Sequence, residues 1–243
     1  MTLPKDKKPR ETKKKPLLAS ELLIVKKDDF PVLETCPVDN LSPEIYRRIE
    51  RLACWFVLRA PLTEITKLAN PSLICLFKSN KDPRQGSRAT NRSEFDEGFM
   101  APLGIDCTMF DFVYSRRKMK SALIDANLDS NDYHVFDELT ERCVCFVGKN
   151  EDGKEDSCIE SICRHIRNGF AHGRLAVKEG ADGPSIFIED GPNPRNVVYE
   201  SDKTPGQKIE IRFRMLVRLS TLERWYELLT DDKNETGDTG SNH

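Results

Sequence analysis

The stretch from 158 to 174, CIESICRHIRNGFAHGR, constrains the fold more than any other part of the chain. Set on a helix, Ile159, Ile162, Cys163, Ile166 and Phe170 fall along one side, an apolar stripe that other elements must cover. Ser161, His165, Asn168 and His172 fall on roughly the opposite side, and Arg167 flanks the stripe. The spacing predicts a helix over 155–171 whose polar groups gather on a face the core does not need. Two alternating segments follow, 175–178 and 185–189, with Gly180-Ala-Asp-Gly-Pro between them. This pattern reads as a β-hairpin.

The rest of the chain reads as mostly helical. Ser42, Pro43 and Glu44 form a helix start of N-cap, first-turn proline and acidic first turn. Ile45, Ile49, Leu52 and Phe56 continue it on one face, and Pro61 ends it. One or two short helices are expected over 62–77, an exposed loop over 78–97, and helices over 107–126 and 135–147. Residues 190–207 read as loop. Met215, Leu219, Leu222, Tyr226 and Leu229 step by four, three, four and three, which predicts a closing helix. Residues 18–40 read as an irregular or partly extended lead-in. The expected organisation is a basic, disordered tail over 1–17, a single mainly α domain over 18–230 and a polar, disordered tail over 231–243.

Composition excludes several classes. The chain is 38% hydrophobic and 32% charged, enough for a core and a solvated surface. No run of about 18 apolar residues occurs, so no membrane span is expected. The basic N-terminus lacks the apolar stretch of a secretory signal, which makes the cytoplasm the expected location. A net charge of -2 does not announce a nucleic-acid binder. The run Lys5, Lys7, Lys8, Arg10, Lys13, Lys14, Lys15 reads as a solvated tail that can add nonspecific affinity for phosphate backbones. The basic segment Arg116-Arg117-Lys118-Met119-Lys120 reads as a solvated helix face.

Eight cysteines suit a reducing compartment as free thiols. Cys54, Cys75 and Cys163 sit among apolar residues and read as small core residues. Cys143 and Cys145, then Cys158, Cys163, His165 and His172, raise the question of zinc. Their spacings do not match paired CxxC or CxxC with HxxxH patterns, so no metal and no cofactor is expected. There is no phosphate-binding glycine loop, no nucleophile elbow and no HExxH. A pair of Cys163 with His165 or His172 is conceivable, but a thiol on the core stripe should be inert.

The polar side of 158–174 carries the chemistry. Histidine titrates near neutral pH and serves as acid or base. Arginine stays charged and grips phosphate with two donors. RNA cleavage needs a base for the 2′-hydroxyl, an acid for the leaving oxygen and a cation for the charge growing on phosphorus. One histidine does not easily do both proton transfers; two copies of the segment facing each other would. On a straight helix Arg167 and His172 point about 140° apart, at ~100° per residue, so they converge only if the helix ends or loosens before His172, which Gly169 and Gly173 permit, or if the long arginine side chain reaches around. Read from the residues alone, a histidine and glycine ending a helix also explain themselves structurally.

Arg167-Asn168-Gly-Phe-Ala-His172 resembles the HEPN superfamily motif: arginine, an adjacent polar residue, spacer residues, then histidine. The resemblance covers about 155–230, taking in the helix, the hairpin with Ile186-Phe-Ile-Glu-Asp-Gly-Pro-Asn-Pro-Arg195 and the closing helix, and is similar to bacterial members from defence and plasmid contexts. It implies an all-α helical bundle, with a small hairpin between motif helix and C-terminal helix, that forms a homodimer around the motif helices. It implies a metal-independent endoribonuclease leaving a 2′,3′-cyclic phosphate, acting as a toxin or in phage defence, with a possible antitoxin or regulatory partner. His172 would be acid or base, Arg167 would stabilise the phosphorane, and Asn168 would orient the phosphate or the histidine. His165 and Arg174 are possible supporting residues. Toxins of this family paired with a nucleotidyltransferase carry tyrosine two residues after the histidine; here that position is Arg174, which puts such pairing in doubt. The alternatives are a non-catalytic module binding RNA or a partner protein, and a helical scaffold with a chance motif.

Overall fold

The computed structural model describes residues 24–26, 41–59, 92–93, 96–104, 106–130, 141–148, 156–191 and 208–230. The two tails, the helices expected over 62–77 and nearly all of the loops expected over 78–97 and 190–207 lie outside these residues. In chain order the elements are β1 (Ile24–Lys26), α1 (Pro43–Ala53), β2 (Phe110–Val113), α2 (Arg116–Asp125), β3 (Arg142–Phe146), α3 (Cys158–Ala171), β4 (Leu175–Gly180), β5 (Gly183–Asp190), β6 (Lys208–Glu210), β7 (Phe213–Arg218) and α4 (Leu219–Thr230). Helix α1 runs on through a wider, π-type turn at Cys54–Arg59.

The centre is a five-stranded mixed sheet in the order β2-β3-β7-β5-β4, and β1 and β6 form a separate antiparallel pair. Strands β2 and β3 are parallel, and every other pairing in the large sheet is antiparallel. The expectation of a mainly α, HEPN-like helical bundle is therefore wrong: the fold is α/β, and the all-α description falls with it.

Three misread segments explain the error. Of the helix expected over 135–147, residues 135–140 lie outside the described residues and the rest holds strand β3, whose residues Arg142-Cys-Val-Cys-Phe are covered on both faces. A doubly covered strand is a continuous apolar run and shows no period-two alternation. The helix expected over 107–126 splits into a short turn at Cys107–Met109, strand β2 and helix α2, with Ser115 as the break. The closing helix starts at Leu219; Phe213, Met215 and Val217 instead alternate along β7, and Met215 matched the helical spacing by coincidence.

One face of the sheet carries Cys143, Cys145, Phe213, Met215, Val217, Ile186 and Ile188, and packs against α1, α3 and α4 in the larger core. The other carries Val113, Val144, Phe187 and Leu216 beneath Met119, Ala122 and Leu123 of α2. The apolar stripe of α3 is buried throughout. Cys163 is core, as its surroundings suggested; Cys54 is exposed instead, and Cys75 lies outside the described residues. Helix α1 is capped by Ser42, whose hydroxyl accepts from the Ile45 amide. It is tied to α4 by a two-pronged ion pair from Arg48 to Glu223, at 2.9 and 2.7 Å. Among the described residues no helix is long and apolar enough to cross a membrane.

Helix α3 and strand β5 approach each other closely at Gly169. A Cβ added at Gly169 would lie 2.3 Å from the Ile188 Cγ2 and 3.3 Å from the Glu189 carbonyl oxygen. Ile188 is fully buried and has nowhere to go. The Gly169→Ala protein should lose about 1–3 kcal/mol of stability through overpacking, although alanine is the better helix former. A urea unfolding curve checks this; equal or higher stability would contradict the packing.

Candidate functional site

Helix α3 begins with a capping box. The Ser157 hydroxyl accepts from the Glu160 amide at 3.1 Å, and the Glu160 carboxylate accepts from the Ser157 amide at 3.0 Å. Arg164 reaches back to the buried Asp156. The helix ends in a Schellman turn: the Gly173 amide donates to the Phe170 carbonyl and the Arg174 amide to the Gly169 carbonyl. Gly173 takes the left-handed conformation this turn requires, at φ 64°. The two glycines therefore do different work from that expected: Gly169 lets the helix approach the sheet, and Gly173 closes it. The helix is regular to Ala171 and His172 is its C-cap, so the loosening before His172 that would turn it toward Arg167 does not occur.

The polar side of α3 faces the end of the sheet. Ser161 is buried and its hydroxyl has no hydrogen-bond partner among the described residues. The His165 ring stacks on Phe213, with centroids 5.2 Å apart and 12° between planes. Its Nδ1 lies 2.8 Å from the Asp190 carboxylate and its Nε2 lies 3.1 Å from the Phe146 carbonyl oxygen. Both partners are acceptors, so a ring with hydrogen on each nitrogen satisfies both and a neutral ring only one. The Asn168 amide donates to the same Asp190 oxygen at 2.9 Å. Arg174 donates to the other Asp190 oxygen at 3.4 Å and to the Gly191 carbonyl at 3.2 Å. The expectation that the core does not need this face is thus corrected: His165 and Asn168 are tied to the sheet.

The two remaining motif residues are placed differently. His172 is exposed, and its side chain makes no hydrogen bond among the described residues. Arg167 is half-buried, and its Nε is buried with no partner among the described residues. So Asp190 draws together His165, Asn168 and Arg174, while Arg167 and His172 stand outside that cluster.

Asp190 escaped the sequence reading. The signal was its register: it continues the parity of Ile186 and Ile188 along β5, which puts a carboxylate on the core face. Nothing in the sequence paired it with 165, 168 and 174.

No three of the described His, Cys, Asp and Glu residues are arranged to hold a metal ion. Cys143, Cys145, Cys158 and Cys163 are all buried between β3 and α3. Burial pushes the Cys163 thiol up to about 12, with Glu160 adding to it. Burial likewise lifts Cys143 and Cys145 well above the usual thiol range. None of the three can act as a thiolate nucleophile at neutral pH. Alkylation of the native protein at pH 8 should label Cys54 well ahead of Cys143, Cys145, Cys158 and Cys163. Peptide mapping by mass spectrometry reads this directly, and comparable labelling of Cys163 would contradict its burial.

No protein-family model, no curated protein and no solved structure matches the chain.

Proposed function

We propose that the chain is a metal-independent endoribonuclease in which the C-terminal end of α3 offers Arg167 and His172 to the phosphate of an RNA strand. One observation carries the reading. Of the five polar residues in the segment that bear on this chemistry, three are bound to Asp190; His172 is exposed with no side-chain hydrogen bond among the described residues, and Arg167 is half-buried outside that cluster. These two are the groups that phosphoryl transfer needs. The helical bundle implied by the HEPN resemblance is absent, so the reading rests on the segment and its setting.

In this reading the RNA 2′-hydroxyl attacks the adjacent phosphorus. A P–O bond forms to the 2′-oxygen and the bond to the 5′-oxygen breaks. The hydroxyl proton passes to a base and the leaving oxygen takes a proton from an acid. His172 serves one of these transfers, and His172 of a second copy would serve the other. The Arg167 guanidinium offsets the charge growing on the phosphorane. The products are a 2′,3′-cyclic phosphate and a 5′-hydroxyl. Such an activity fits a toxin or defence effector.

The test is incubation of wild-type, His172→Ala and Arg167→Ala proteins with total RNA and with tRNA in EDTA, followed by end-group analysis. Wild type should cleave and leave cyclic phosphate. His172→Ala should lose about 10²–10⁴-fold in rate and Arg167→Ala about 10²-fold, with melting temperatures little changed. Equal cleavage by wild type and His172→Ala, or none by folded wild type, overturns the reading. A second reading, a module that binds RNA without cutting it, is favoured by the engagement of the Asn168 amide with Asp190. Retention of RNA with no cleavage would select it.

A further inference from the structure

Asp190 is buried, and its carboxylate receives three donors: His165 Nδ1 at 2.8 Å, Asn168 Nδ2 at 2.9 Å and Arg174 Nη1 at 3.4 Å. These donors bracket the end of α3. His165 lies two turns before the C-cap, Asn168 one turn before it, and Arg174 two residues after it. His172 stands between the last two. The backbone that carries the carboxylate is fixed to the sheet, because Asp190 pairs with Phe213 of β7 and its carbonyl accepts from the Arg212 amide at 3.0 Å.

Fastening alone does not call for a carboxylate here. The stripe Ile159, Ile162, Ile166 and Phe170 already buries the helix against the core. Removing a carboxylate from water is costly, and an apolar group of the same size often serves stability as well or better. What an apolar contact cannot supply is direction. The Gly169–Ile188 contact sets how closely the helix sits on the sheet, and three hydrogen bonds converging on one group add directional control of its rotation and of the place of its last turn. The residues so fixed are the ones next to His172, and Arg167 is adjacent to Asn168 on the same turn.

We infer that Asp190 is the positioning residue of the Arg167–His172 helix end: it sets the geometry in which these two side chains meet a substrate, and does not itself touch the reacting atoms. The inference rests on the reading of that helix end as the site. It predicts an effect on turnover beyond any effect on folding, because a displacement of about 1 Å in a reacting group can cost 10²-fold in rate.

The deciding variant is Asp190→Asn, which keeps the shape, removes the charge and sets an amide against three donors. Two quantities are measured: kcat and KM on RNA per folded molecule, and hydrogen exchange of the Gly173 and Arg174 amides, which close the helix. The expected result is a kcat lower by about 10–10²-fold with KM within about twofold, and faster exchange at both amides. A folded variant with wild-type kcat overturns the inference. If Asp190→Asn does not fold, Asn168→Ala decides, since it removes one donor and leaves the carboxylate in place. It should lower kcat and speed exchange at the same two amides; no change in either overturns the inference. If the folded wild type cleaves no RNA, the ribonuclease reading fails and exchange alone decides. Faster exchange in Asp190→Asn then keeps Asp190 as the group that sets this helix end, and unchanged exchange removes that role too.

Discussion

The near-contact of α3 with β5 is the constraint on which the rest depends. The helix comes so close that position 169 has no room for a side chain, and the Ile188 methyl occupies the space where a Cβ would stand. That proximity brings the helix's polar side over the end of the sheet, within hydrogen-bond reach of Asp190. It also lets the Arg174 carbonyl accept from the Glu189 amide, so the chain passes from the helix end directly into the sheet's hydrogen bonding. A helix held further away would have left the same polar residues in water, and His172 would stand at a frayed end.

The strand that receives α3 is polarised across its thickness. Asp190 faces α3, and its neighbour Glu189 faces the opposite side. There Arg214 donates to Glu189 at 2.9 Å and to the Leu128 and Ser130 carbonyls at 2.8 and 2.6 Å. Burial pushes the Glu189 carboxyl up, and Arg214 opposes that shift. One Glu189 oxygen has no partner among the described residues. Two adjacent carboxylates are thus held by separate sets of donors on opposite faces. A slip of β5 by one residue would turn each carboxylate to the face opposite its own donors, so this pair adds to the register that the flanking apolar residues set.

What could be read in advance followed from periodicity. The α3 stripe, the α1 start at Ser42-Pro43-Glu44 and the β4–β5 hairpin each carry a local pattern that packing did not override. The central strands were illegible because burial on both faces erases alternation: Cys143, Val144 and Cys145 are all buried, yet they face opposite sides of the sheet. The site was legible in its helical half only. Positions 165, 167, 168, 172 and 174 could be named from one segment. Their division into a group bound to Asp190 and a pair left outside it depends on a residue brought in by the fold. The polar face looked available because a helical wheel shows which residues share a side, not what stands opposite them.

The strand order has a consequence for how the chain is made. Strand β7 is the last strand in sequence, yet it lies between β3 and β5. During synthesis the β2–β3 pair and the β4–β5 hairpin emerge as separate pieces of this sheet, with no strand yet between them. Each then offers an open, apolar edge until residues 213–218 leave the ribosome and bridge the gap. The five-stranded sheet therefore cannot be completed before β7 is made.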